Sequence, residues 1–498
     1  MRSLLARRPD SIYYLVAGYC LLSIVLKILR PDSLEIDESE QAFLSQYLLA
    51  GYGTQPPFYN WLQYGVVTLF GISVASLTIV KNGLLFLCLL FYGLSARMIL
   101  SDRALSAVAM LGVLTLPPVF LLSQRDLSHT VAALFAVSLF LYGSFKVLKG
   151  PSRLGPYLMV GIAMGLGAIS KYNFVVIPVA AIIAILPETD LRKRLFDWRV
   201  LASIAIGAII MAPHAYWVLN NFAHASGDTV TEMKEGAENA ALPHMMQGLF
   251  SLGVAIIKGV APTMAVFGLI FYADLGRILR ARSPWTRIIG RMLCACFLIV
   301  ALIVVAMGAT HIREKWLALF TVLLPLYFTL KIDAAGVDAT PKLTALLSIV
   351  GVLAIGVVLM LSARVLVGPM IGEYSFAHTP YGGFARAVTD ERGAPPATIV
   401  VDDRILAGNL RIQFPDTPIM LPGFPPNSDS LPLLPGPVLA AWSAEDGGRE
   451  DIPPRISGLL SMKAVNTEGL EAKIVSIPYN AGRPSDEYKF GYVWIERR

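Results

Sequence analysis

Continuously apolar stretches recur along the chain between Ser11 and Leu366, separated by short polar loops. Most match the roughly 20 helical residues that cross a bilayer's hydrocarbon, and none alternates with the period of two that a membrane-spanning β-strand requires. The pattern predicts spans over Ser11–Leu29, Leu77–Leu100, Leu105–Leu122, Thr130–Leu148, Tyr157–Ile169, Phe174–Leu186, Val200–Leu219, Met246–Tyr272, Met292–Ala309, Trp316–Leu330 and Leu343–Leu366. Between the first two, Glu38–Ala50 has helical apolar spacing and Phe58–Phe70 is amphipathic and aromatic, which predicts two segments lying along the membrane surface. After Leu366 Pro and Gly become frequent, and the runs at 397–401 (ATIVV), 437–442 (PVLAAW) and 490–495 (FGYVWI) predict strands. The fold class is therefore a polytopic α-helical membrane protein with about eleven transmembrane helices over residues 1–366, followed by a small extracytoplasmic α/β domain over 367–498.

Composition agrees. A chain of 498 residues that is 55% hydrophobic and 15% charged, with mean hydropathy +0.61, is too apolar for an ordinary soluble protein. The net charge of +6 does not indicate nucleic acid, because the basic residues are scattered among short loops without an interleaved aromatic stripe. Their alternation from loop to loop fits the positive-inside rule, with Arg2, Arg7 and Arg8 keeping the N-terminus cytoplasmic and the first span uncleaved. Cys20, Cys88, Cys294 and Cys296 lie within apolar stretches and read as packing residues.

Sorting the loops by side separates two kinds of chemistry. The cytoplasmic loops are basic and otherwise plain. The outer loops hold Asp37, Glu38, Gln55, Arg125, Asp126, His129, Lys171, Arg313, Glu314 and Lys315. A carboxylate cluster at the mouth of a span is costly outside a hydrated, functional cavity, which marks the first outer loop, 31–71, as the reaction centre. A carboxylate there can take the proton of an attacking hydroxyl, and cations such as Lys171, Arg313 and Lys315 can hold a departing phosphate. That combination suits group transfer from a phosphate-activated donor to an alcohol. Glu35 and Glu40 read as solvated loop charges, and His129, His214 and His311 have no metal-ligand spacing. The aromatic residues Tyr52, Phe58, Tyr59 and Trp61 read as an interfacial belt, with stacking on a sugar as a second role.

The Asp-Glu pair after span one, the Pro56-Pro57 element before an amphipathic segment, RDLS at 125–128, SKYNF at 170–174 and KWLALFTVLLPLYF at 315–328 together resemble the GT-C glycosyltransferases. More narrowly they resemble the protein O-mannosyltransferases and the bacterial aminoarabinose lipid A transferases, in order along residues 10–364; YGTQPPFYNWLQ also resembles rhizobial-type members that move galacturonic acid. The resemblance implies that Asp37, with Glu38 beside it, activates or positions the acceptor, that Asp126 is the second-loop acid, and that Lys171 with Arg313 or Lys315 holds the donor phosphate. Two positions depart from the family pattern: Gln55 stands where many members have His, and Lys315-Trp316 where many have Arg-Tyr.

The resulting expectation is an inverting glycosyltransferase of a bacterial inner membrane with a periplasmic active site and a periplasmic C-terminal domain. Its donor is a polyprenyl-phosphate-linked sugar and its acceptor is lipid A, core or another envelope glycan. The catalytic set is Asp37, Glu38 and Asp126; Lys171, Arg313, Lys315 and Arg125 bind phosphate; Gln55, Tyr59 and His129 contact substrate. No cofactor is specified, and a divalent metal is left open. The alternative class, a transporter or flippase for a charged lipid-linked sugar, needs charges at mid-membrane, where Lys81 and Lys258 are the candidates.

Overall fold

The computed structural model describes residues 9–29, 33–123, 127–234, 243–425, 436–445, 451–463, 465 and 469–496. Among them, eight helices are long and apolar enough to cross a membrane: Pro9–Ile28, Val74–Ile99, Ser128–Lys149, Val200–Asn220, His244–Ile270, Pro284–Met307, Glu314–Ala334 and Thr340–Ile371. The other three expected spans correspond to shorter apolar helices, Arg103–Val113, Leu154–Ala168 and Tyr172–Ile185. Span three is shorter than its apolar run because Pro117 and Pro118 interrupt it: the helix stops at Val113, and Pro118–Leu122 forms a separate wide turn.

The chain divides into two compact units whose segments interleave in sequence. One comprises Met1–Leu22, Ala50–Tyr59 and Lys81–Val357; the other comprises Ser23–Leu49, Asn60–Val80 and Val358–Arg498.

In the first, helical unit, the basic loops gather at one end of the helices. Asp10 pairs with Arg97 and Arg103 at 3.2 and 3.1 Å, and Glu188 pairs with Arg287 and Arg291 at 3.3 and 2.9 Å. Arg194 donates to the Gly150 carbonyl, and Lys331 donates to the carbonyls of Leu279 and Ala281. The guanidinium hydrogen bonds from Arg287 and Arg291 hold the Glu188 carboxyl below its usual range.

Small residues let helices of this unit approach backbone to backbone. Gly161 and Gly165 of Leu154–Ala168 face Val200–Asn220 so closely that a Cβ on Gly161 would lie 2.4 Å from the Ser203 carbonyl oxygen. The Ser203 hydroxyl closes the contact by donating to Tyr157 O at 2.6 Å. This is how helices associate where hydrocarbon surrounds them and apolar burial supplies little drive.

The second unit carries one five-stranded sheet, built from β1 (Thr398–Val401), β2 (Ile419–Met420), β3 (Val438–Ser443), β4 (Lys473–Pro478) and β5 (Glu487–Ile495). The order is β2-β1-β3-β5-β4; β1 runs parallel to β2 and β3, and β5 runs antiparallel to β3 and β4. The predicted strands are β1, β3 and β5, each rich in branched or aromatic apolar residues. The pattern missed β2 because it is two residues long, and β4 because its residues are largely exposed. Trp442 is fully buried in the core with Val400, Val438, Ile456, Leu459 and Val493, against Gly491, where a Cβ would strike the indole at 2.2 Å.

Helix Ile36–Leu44 of this unit packs on helix Arg404–Gln413. Gly408 makes the contact close: a Cβ there would fall 1.8 Å from the Ser39 carbonyl oxygen. The Leu34 amide donates to Asn409 Oδ1 at 2.7 Å, fixing the approach to the first helix. Glu35 and Glu40 are therefore not free loop charges. Glu35 caps Ile36–Leu44 in a capping box with Glu38, and Glu40 pairs with Arg404. Burial pushes the Glu40 carboxyl up and Arg404 pulls it down, with burial the larger. Because backbone cannot yield at Gly408, Gly408→Ala is expected to destabilise this unit by about 1–3 kcal/mol; an unchanged melting temperature of the purified variant would refute the contact.

Candidate functional site

In the helical unit the outer-loop candidates gather at one end, built around the turn after Leu154–Ala168. Gly167 makes that turn: a Cβ would strike the Phe174 ring at 2.3 Å, and the Gly167 carbonyl accepts from the amides of Ser170 and Lys171, both at 3.1 Å. Lys171 then caps the short helical turn Tyr172–Val175. Asn173 Nδ2 donates to Trp316 O at 2.8 Å. This bond ties the Lys171 turn to the Glu314–Leu317 turn, which Arg313 caps and which contains Lys315. Asn173 Oδ1 is buried without a hydrogen-bond partner, an acceptor available to a water or a ligand hydroxyl.

The Gln55-Pro56-Pro57 strip joins the same place. The Phe58 amide donates to Ile169 O at 2.9 Å. His129, second residue of Ser128–Lys149, donates to the Pro56 carbonyl and lies within electrostatic reach of the Lys171 ammonium. The Tyr59 ring packs on His129 with centroids 5.7 Å apart. Leu127, just before that helix, adopts a left-handed backbone with φ 71°, a conformation uncommon outside glycine and enriched at functional sites.

His214 carries the strip's other anchor. Its Nδ1 faces the Ala50 carbonyl at 2.8 Å and must donate, which leaves Nε2 to accept from the Tyr172 hydroxyl at 3.1 Å. Its ring stacks between Tyr172 and Trp217, and Gly51 lies against Trp217 with no room for a Cβ.

Of the residues expected from sequence, the structure thus brings together Gln55, Tyr59, His129, Lys171, Arg313 and Lys315, with Gln55 exposed and Tyr59 and His129 buried. Arg125 and Asp126 lie outside the described residues. Sequence reasoning missed Asn173, Tyr172 and Trp217 as parts of this arrangement; the signal for the first two was their position directly after Lys171. Among the described residues, no three His, Cys, Asp or Glu side chains gather as a metal-holding group.

Asp37 and Glu38 belong to the sheet-bearing unit, in the first turn of Ile36–Leu44. The two neighbours differ. Glu38 is nearly buried and pairs with Lys27 at 2.7 Å, whereas Asp37 is half-buried on the helix face that also presents Glu40. Gln41, one turn on, accepts from Asn60 Nδ2 at 3.1 Å. Glu38 is therefore held as one half of an ion pair, and Asp37 is the carboxylate with more access to solvent.

Solved structures establish the fold. ArnT from Cupriavidus metallidurans bound to undecaprenyl phosphate matches 97% of this chain and 97% of its own with a TM-score of 0.60 at 14% identity, and its apo state matches with 0.59. A sequence profile of the dolichyl-phosphate-mannose-protein mannosyltransferase family matches residues 54–217, which begin just before the Gln-Pro-Pro strip and end at Trp217. The fold is that of the GT-C glycosyltransferases, a class of multi-pass membrane enzymes. Two curated proteins of Rhizobium johnstonii narrow the class: the lipopolysaccharide core galacturonosyltransferase RgtA is 45% identical over 97% of this chain and 96% of its own, and RgtB is 41% identical over 98% and 97%. The chain belongs to the family of lipopolysaccharide core galacturonosyltransferases.

Breaking a buried ion pair strands a charge, at a cost of about 3–5 kcal/mol. Glu38→Gln or Lys27→Met is therefore expected to lower the melting temperature of the purified protein clearly, Lys27→Met/Glu38→Leu to recover most of the loss, and Asp37→Asn to shift it less than Glu38→Gln. Equal melting temperatures for Glu38→Gln and the parent would remove the structural role of this pair.

Proposed function

We propose that the protein transfers galacturonic acid from a polyprenyl phosphate to a hydroxyl of the lipopolysaccharide core or lipid A at the periplasmic face. The observation that carries this reading is the cluster at one end of the helical unit, where the Lys171 turn, the Arg313–Trp316 turn, His129 and the Gln-Pro-Pro strip are bonded to one another. The basic loops lie at the other end of the same helices. By the positive-inside rule the basic end is cytoplasmic, which leaves the cluster periplasmic. Two relatives 41–45% identical, both named as lipopolysaccharide core galacturonosyltransferases, support this choice of sugar and of core as acceptor.

In the reaction, the acceptor oxygen attacks the anomeric carbon as the bond from that carbon to the phosphate oxygen breaks, inverting the configuration. Asp37 takes the hydroxyl proton, and Asp126 supports the acceptor or contacts the sugar. Lys171, Arg313, Lys315 and Arg125 hold the phosphate as its negative charge grows. Gln55, Tyr59 and His129 line the sugar. The C-terminal domain is periplasmic, and the carrier's tail lies among the spans.

The test is reconstitution with polyprenyl-phosphate galacturonic acid and a lipopolysaccharide core acceptor, read by mass spectrometry. Addition of one hexuronic acid residue is expected. Asp37→Asn should abolish it with donor binding retained, and Lys171→Met should weaken donor binding by about 10- to 100-fold, the loss of one charge-assisted contact. Full activity of Asp37→Asn removes Asp37 from the chemistry; movement of labelled lipid across the bilayer without any product favours a flippase.

A further inference from the structure

The sheet-bearing unit has a polar cavity of its own, which the transfer chemistry above does not use. It measures about 440 Å³, within the usual range for small-molecule sites. It opens where β1 and β3 end, beside the first turn of helix Arg404–Gln413. Strand order places this point strategically: from β1 the chain goes through that helix to β2 on one side, while β3 lies on the other. The cavity therefore lies at the carboxyl ends of two parallel strands, where open α/β sheets hold their ligands.

The lining has a definite chemistry. Tyr374 and Tyr479 stack with centroids 4.0 Å apart, held by hydrogen bonds from Tyr374 to Asp486 and from Tyr479 to Glu445. Tyr488 shares a 2.6 Å hydrogen bond with Ser443. Rings fixed in this way cost little entropy when a ligand packs on them, and their hydroxyls remain at the rim. Asp403 receives the Ile405 and Leu406 amides on one oxygen, Oδ1, at 2.8 and 2.9 Å, so Oδ2 is left to the cavity. Arg364, exposed at the end of Thr340–Val367, completes the lining with a guanidinium.

We propose that this cavity is a saccharide subsite for a carboxylate-bearing sugar of the acceptor glycan. The C–H face of a pyranose packs on the tyrosine rings, Asp403 Oδ2 accepts from ring hydroxyls, and Arg364 meets the sugar carboxylate in the bidentate geometry that guanidinium favours. The assignment rests on the transferase reading only for which glycan is held; binding is measurable without transfer.

The test uses the full-length protein in nanodiscs, titrated with digalacturonic acid or with its neutral counterpart galactobiose and followed by saturation-transfer NMR. Digalacturonic acid is expected to bind more tightly than galactobiose. Asp403→Asn retains an oxygen to cap the helix but replaces the acceptor with a donor, and should weaken digalacturonic acid by about tenfold or more. Arg364→Gln should erase the preference for the acidic sugar. Tyr488→Phe, a mild change, should weaken both sugars and guards against a misfolded Asp403→Asn. Asp37→Asn, which stops transfer, should leave binding unchanged, so failure of the catalytic reading and failure of this one are told apart. In transfer assays Asp403→Asn should raise KM for acceptor with kcat retained. No binding of either sugar, or unaltered binding by folded Asp403→Asn and Tyr488→Phe, overturns the subsite; displacement of digalacturonic acid by the polyprenyl-phosphate donor but not by core oligosaccharide overturns its assignment to the acceptor.

Discussion

The constraint behind this structure is that hydrocarbon does not solvate charge. An ion within the bilayer must find a partner or leave, so a chain whose described residues include eleven apolar helices of this kind keeps most of its ionic chemistry at their ends. In the helical unit this produces two unlike ends. One ties its arginines and lysines to Asp10, Glu188 and backbone carbonyls. The other carries Lys171, Arg313 and Lys315 beside a histidine, an asparagine and a proline-stiffened strip. The first end commits its cations to ion pairs and carbonyls, and the second is the end to which the proposed function assigns the donor phosphate.

Close approach of small residues is what shapes the second end. Gly161 and Gly165 allow Leu154–Ala168 to lie against Val200–Asn220, and Gly167 lets the chain turn back over Phe174 within a few residues. The turn therefore comes out short, with Lys171 at its cap and Asn173 aimed at Trp316. A side chain at any of these glycines would move the cation before touching it. Gly51 plays a similar part at Trp217, where His214 fastens the strip that leads to Gln55.

The sheet-bearing unit follows different physics. Its core is an ordinary apolar interior around Trp442, and its helix Arg404–Gln413 does two jobs: Gly408 receives the helix that bears Asp37, and its first turn, capped by Asp403, borders the tyrosine-lined cavity. A single short helix thus sets both the position of the helix that bears Asp37 and one wall of a polar crevice.

Much of this was legible in the chain. Spans are written as apolar runs because the bilayer demands continuous hydrophobicity, and β1, β3 and β5 as clusters of branched and aromatic residues; the outer-loop cations and acids stood out because charge beside hydrocarbon is costly. Asp37 and Glu38, however, look alike in sequence, and only the fold assigns Glu38 to Lys27. Glu35 and Glu40 read as loop charges until helix Ile36–Leu44 and Arg404 gave them partners. The partners of His129 and His214 and the crevice between β1 and β3 depend on contacts between residues tens to hundreds of positions apart. Local pattern determines which segments are helix, strand or turn and which side chains are costly to bury. Which of those side chains meet is decided by packing, because that depends on where a glycine admits a neighbour and where two parallel strands end.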